Sequence, residues 1–224
     1  MTAHTVFRHV VSAILFAAFV TSVPAGEKKR FGFDQARIVL HKSVSNPQME
    51  TITTDTVYIG SGGLVEVRYS HEIQDIRMLN QKRESRTVTI TKDGWITSYD
   101  PDTKKGKRFK DPFSETLGNM SESQQQKFAK GMENAFEAKT TVLGKEDVAG
   151  KQCDVTETKT GLQGMESVTK TWTWKGFVAK SVSEAMGTRI TEEATSIDET
   201  LGVTEALLRI PSGVEIQDLG AIDP

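Results

Sequence analysis

Cysteine is almost absent. Cys153 stands alone, so no internal disulfide braces the fold. A domain of this size can bury enough apolar surface without one, even in an oxidising compartment. An unpaired thiol there is safest buried, and Cys153 alternates with Asp154 beside Val155 as a core residue would. It has no CxxC partner and no neighbouring histidine to activate it. Histidine is scarce, four in all. Neither His41 nor His71 stands in a metal spacing such as HExxH, so no metal site and no cofactor are expected. Net charge is nearly absent too: 28 Lys and Arg against 30 Asp and Glu leave −2, which gives no global pull toward nucleic acid. No GxSxG elbow occurs. Gly60-Ser61-Gly62-Gly63 lacks the third glycine of GxGxxG and the GK[ST] of a phosphate loop. With no nucleophile–base pair in sight, an enzyme is not expected.

A long apolar run is missing as well. The longest, Val10 to Val20, falls short of the about 20 residues that a membrane span needs. It follows Arg8 and precedes Thr21-Ser22-Val23-Pro24-Ala25, with small residues at Val23 and Ala25. That order is the plan of a secretory signal peptide. The expectation is a leader over 1–25 cleaved after Ala25, a periplasmic location, and one domain over 26–224. No cysteine follows the run to carry a lipid.

What is present is a period of two. Val65, Val67 and Tyr69 alternate with Glu66 and Arg68. Val88 and Ile90 alternate with threonines, and so do Val168, Trp172 and Trp174. Such alternation marks strands with one buried face, and threonine suits a half-wet pleat. Asp93-Gly94, Lys175-Gly176 and Met186-Gly187 sit between strand-like runs and read as hairpin turns. Links this short make neighbouring strands antiparallel. About ten strands of ordinary length fit. Lys104 to Arg108 reads as a solvated hairpin tip.

One segment has another period. Between Ser121 and Ala138, Phe128, Met132 and Phe136 are spaced four apart, and Ser121-Glu122-Ser123-Gln124 resembles a capping box. The expectation is one amphipathic helix near 121–138, its stripe buried against the sheet. The fold class expected is therefore α+β: a single strongly curved antiparallel sheet, a half-open β-barrel, packed on one main helix. Trp172 and Trp174 face one way and serve either as core or as the floor of an apolar pocket.

The segment Leu143-Gly144-Lys145-Glu146-Asp147-Val148-Ala149-Gly150-Lys151-Gln152-Cys153, then Trp172-Thr173-Trp174-Lys175-Gly176, then Glu192 to Ile197 and Leu208 to Val214, resembles an exported bacterial branch of the lipoprotein-localisation carrier (LolA/LolB-like) superfamily. The pieces Val57-Tyr58, Val65 to Arg68, Thr89 to Asp93 and Tyr99-Asp100 resemble its front half. The likeness covers roughly residues 35–217. It implies a half-barrel whose concave face is lined with apolar side chains and covered by helices. It further implies a lipid or acyl chain held there, or a docking role toward an envelope protein. On that reading Trp172, Trp174, Phe128, Met132, Phe136 and Val168 line the ligand site. No residue matches the arginine with which the carriers open and close, so transport is not implied. The alternative is a non-enzymatic interaction or structural module of the envelope with a filled core.

Overall fold

The computed structural model describes residues 29–111, 123–124, 127, 130–131, 138–162 and 165–220. The described chain builds twelve strands. The first six are β1 (Ala36–Ser45), β2 (Met49–Gly60), β3 (Val65–Ile76), β4 (Gln81–Lys92), β5 (Trp95–Asp100) and β6 (Lys105–Lys110). The next five are β7 (Lys139–Val148), β8 (Lys151–Leu162), β9 (Met165–Trp174), β10 (Phe177–Ala185) and β11 (Thr188–Asp198), and β12 (Glu215–Asp218) is last. All join one sheet in the order β12-β6-β5-β4-β3-β2-β1-β11-β10-β9-β8-β7. Two antiparallel meanders, β1–β6 and β7–β11, are thus sewn together along β1 and β11. The C-terminal β12 returns to the far edge and runs parallel to β6. The sheet is open and curved.

The tight turns follow from residue choice. Asp93 and Gly94 both have positive φ, 52° and 73°, as do Lys175 and Gly176 at 46° and 82°. Two such residues in a row twist a two-residue loop to match its strands, and glycine adopts that region without penalty.

Two apolar clusters hold the sheet. The larger gathers Ala36, Ile38 and Leu40 of β1, Val57 and Ile59 of β2, Val148 of β7, Cys153 and Val155 of β8, Trp172 and Trp174 of β9, and Phe177 of β10. It is completed by Phe31 and Phe33, which precede β1. Phe33 stacks on Trp174 with ring centroids 4.7 Å apart, and Phe31 meets Phe177 edge-on at 5.5 Å. Backbone bonds from Arg30 and Phe31 to the Gly62 carbonyl, and from Gly32 to the Lys175 carbonyl at 2.8 Å, pin this segment in place. The smaller cluster joins Val67, Val88, Ile90 and Tyr99, covered by Val203, Leu207, Leu208, Val214 and Ile216 of the C-terminal strap.

The α+β expectation is corrected by this architecture. The described elements are strands and two short 3-10 turns, and the fold they form is nearly all β. Among the described residues, Phe31 and Phe33 complete the larger apolar cluster and the C-terminal strap packs on the smaller. Of the stretch 121–138, Ser123, Gln124, Lys127, Lys130, Gly131 and Ala138 are described; the first five are helical and exposed, and no helix packed on the sheet is among the described elements. Phe128, Met132 and Phe136 lie outside the described residues, as does the expected leader over 1–25. No helix among the described residues is long and apolar enough to cross a membrane. The basic run read as a hairpin tip is mostly strand: Lys105 to Arg108 belong to β6.

Candidate functional site

The register sorts side chains onto two faces, because directly paired residues of an antiparallel ladder point the same way. Val57 pairs with Arg68, Ile59 with Glu66, and Leu40 with Asp55. Glu66, Arg68 and Asp55 therefore stand on the same face as the buried Ile38, Leu40 and Val57. Asp55 marks a seam there. On one side lie the apolar residues Val57 and Ile59; on the other lie Thr53 and Thr51 of the same parity.

Beyond that seam the face is lined with hydroxyls. One row runs Thr140, Thr158, Thr169, Ser183, Ile190, Val44 and Thr51 from β7 across to β2. The next holds Thr156, Thr171, Ser181, Glu192, Lys42, Thr53 and Glu72. Cross-strand hydroxyl bonds tie Thr140 to Thr158 at 3.0 Å and Thr169 to Ser183 at 2.9 Å. Thr51, Thr171 and Ser183 are buried although polar.

The charged cluster sits at the seam. Arg68 donates from Nη1 to Asp55 Oδ2 at 2.9 Å and from Nε to Glu66 Oε1 at 3.2 Å. The Asp55 side chain is 8% exposed, that of Glu66 16% and that of Arg68 31%. Burial works against the Arg68 charge, but the carboxylates of Glu66, Asp55 and Glu192 outweigh it and raise the guanidinium above its ordinary value. Arg68 is a permanent cation with Nη1 and Nε committed to these two carboxylates. The second oxygen of Asp55, Oδ1, is buried and has no hydrogen-bond partner among the described residues. Buried polar atoms are seldom left so.

The opposite face is apolar. It carries Tyr58, Val67, Tyr69, Val88 and Tyr99, with Tyr58 and Tyr69 in edge contact at 6.3 Å. The strap covers much of it, while Ile52 and the paired Ile73 remain 47% and 42% exposed.

The residues expected to line a ligand site fall in different places. Trp172 and Trp174 are 5% and 6% exposed and belong to the larger core. Trp172 Nε1 donates to Glu146 Oε2 at 2.8 Å, and the Lys170 and Lys180 ammonium groups lie 4.5 and 5.1 Å from its ring. That indole bond and Lys170 hold the Glu146 carboxyl below its usual range. Val168 shares their parity but is 39% exposed. Cys153 is buried as expected, and burial pushes its thiol up. His41 is exposed, and His71 pairs with Glu84 at 2.9 Å. No group of three His, Cys, Asp or Glu side chains is placed to hold a metal among the described residues. At the seam, Ser70 stands directly across the ladder from Asp55 on the same face.

Asp55 and Arg68 were not among the expected site residues. One signal was available: along Thr51, Thr53, Asp55, Val57 and Ile59, a carboxylate stands on the parity that ends in two core residues.

No protein-family model and no curated protein matches the sequence. Among solved structures, the chain is similar to MucB at 11% identity and TM-score 0.45, covering 92% of this chain and 64% of that one. It is similar to an uncharacterised conserved protein from Thermus thermophilus at 7% identity and TM-score 0.46, covering 94% and 99%. An outer membrane lipoprotein-sorting protein domain from Vibrio parahaemolyticus is 12% identical with TM-score 0.33, covering 80% of this chain and 93% of that one. This chain thus spans less than two thirds of MucB. The neighbours' sequences are distant from this one.

Proposed function

We propose that this chain is an exported, non-enzymatic binding module, one domain over 26–224, whose ligand is a lipid or another acyl-bearing molecule. The ligand lies on the hydroxyl-lined face with its polar group at Asp55 and Arg68. The observation that carries the reading is the buried Asp55 with its unpartnered Oδ1, set where apolar side chains give way to hydroxyls. Binding sites combine apolar walls with a few placed polar groups that fix orientation, and this seam has that composition. Support for export is the leader order over 1–25. Support for a binding role rather than catalysis is that Asp55 and Glu66 are each held in a hydrogen bond from Arg68.

Native mass spectrometry of the chain purified without detergent tests this. The expected spectrum contains a second species heavier by the mass of one lipid. A single apo mass, even after incubation with lipid extract, would refute the reading.

A second reading has its own support. Phe31, Phe33, Trp174 and Phe177 fill the larger cluster with stacked and edge-on rings. A filled core suits an envelope interaction module, which predicts a protein partner by crosslinking in place of a bound lipid.

A further inference from the structure

We infer that the group docking beside Asp55 is a positively charged hydrogen-bond donor, in its simplest form an ammonium. This rests on the reading above for the place of the ligand and goes beyond it in naming the chemistry. An ionised carboxylate only accepts hydrogen bonds, so whatever meets Oδ1 must donate. Arg68 already occupies Oδ2, and no described residue supplies a donor to Oδ1. The Asp55 side chain, 8% exposed, is walled by Leu40 across the ladder and Val57 beyond it, both fully buried.

The charges select the sign. Asp55, Glu66 and Glu192 act on Arg68 from this face. Lys42, paired with Glu192 in the ladder, is the second cation there. Three carboxylates against two cations leave the seam negative, and Glu72 in the same row as Lys42 adds to the imbalance. An anionic headgroup would face these carboxylates with Arg68 already committed at Nη1 and Nε. A metal ion would need several ligands, and no group of three is placed to supply them among the described residues. An organic ammonium needs one ionised acceptor and a negative surrounding, and the seam has both.

The test is calorimetric titration of the purified chain with decylamine, decanol, decanoate and ethanolamine, each below its aggregation concentration at one ionic strength. A charge-assisted bond at Oδ1 predicts that decylamine binds about tenfold more tightly than decanol, with decanoate weaker still. The Asp55→Asn variant should erase the preference for the amine. Equal binding of the three ten-carbon probes would overturn the charge inference while leaving the amphipathic-ligand reading intact. Ethanolamine binding as tightly as decylamine would support the ammonium site and overturn the need for an acyl tail. Persistence of the amine preference in Asp55→Asn would overturn the assignment to Asp55. No binding of any probe would overturn both. The wild-type series decides the matter even where the variant melts early.

Discussion

Replacing Arg68 with methionine should destabilise the protein more than replacing Asp55 with asparagine. Asp55 accepts from Arg68 alone among the described residues, whereas Arg68 donates to both Asp55 and Glu66. Removing the cation strands a carboxylate whose side chain is 8% exposed. Breaking a fully buried pair this way costs about 3–5 kcal/mol. Arg68 is 31% exposed, so water recovers part of that and the cost falls to about 2–3 kcal/mol. In a chain of this length that lowers the Tm by roughly 4–12 °C. Asp55→Asn leaves Arg68 with Glu66 and should cost about 1–2 kcal/mol. Adding Asp55→Leu to Arg68→Met removes the stranded charge among Leu40 and Val57 and should recover about 1 kcal/mol or more. Thermal melts followed by circular dichroism at neutral pH measure all of this. An Arg68→Met variant as stable as Asp55→Asn would refute the reasoning.

Three further outcomes follow from the packing. A Cβ on Gly106 would stand 2.5 Å from the Ser98 carbonyl oxygen and 2.8 Å from Ile216 Cδ1. Gly106→Ala should therefore cost about 1–3 kcal/mol and loosen β12 from β6, seen as faster amide exchange over 215–218. Cys153 is fully buried and its thiol is pushed up, so a thiol reagent should modify it only after unfolding; fast labelling of the native protein contradicts its core placement. Glu199 bridges Lys151 and Lys175, and its carboxyl is held low by hydrogen bonds to those two ammonium groups. Its contribution is present above the ordinary carboxylate range and is lost as pH falls through its lowered value. Its side chain is 34% exposed, so Glu199→Gln should cost under about 1 kcal/mol by denaturant melt at neutral pH and nothing in acid.

Strands were legible because alternation is local. Val88 and Ile90 against threonines, or Asp93-Gly94 between two runs, state their structure within a few residues. The cover over the sheet was not legible. The four-residue spacing of Phe128, Met132 and Phe136 speaks for a helix but not for what closes the core. Among the described residues the clusters are completed by Phe31 and Phe33, too few for any period, and by the strap from Val203 to Ile216. The parallel return of β12 to β6 also escaped, since hairpin logic sees only adjacent strands. The seam was half legible. Asp55 stands where threonines give way to Val57 and Ile59 on one parity, while Arg68 only alternates with Val67 and Tyr69. Only the β1–β2–β3 register, which sets Leu40 against Asp55 and Val57 against Arg68, brings the two together.

Photocrosslinking with a phospholipid analogue that carries a diazirine in one acyl chain asks the central question directly: which face of the sheet meets the ligand. The account predicts labelled peptides from β2, β3, β9 and β10 at Thr53, Ser70, Thr171 or Ser181, with labelling competed by decylamine. Labels confined to the opposite face, at Ile52, Tyr69 or Ile73, would contradict it.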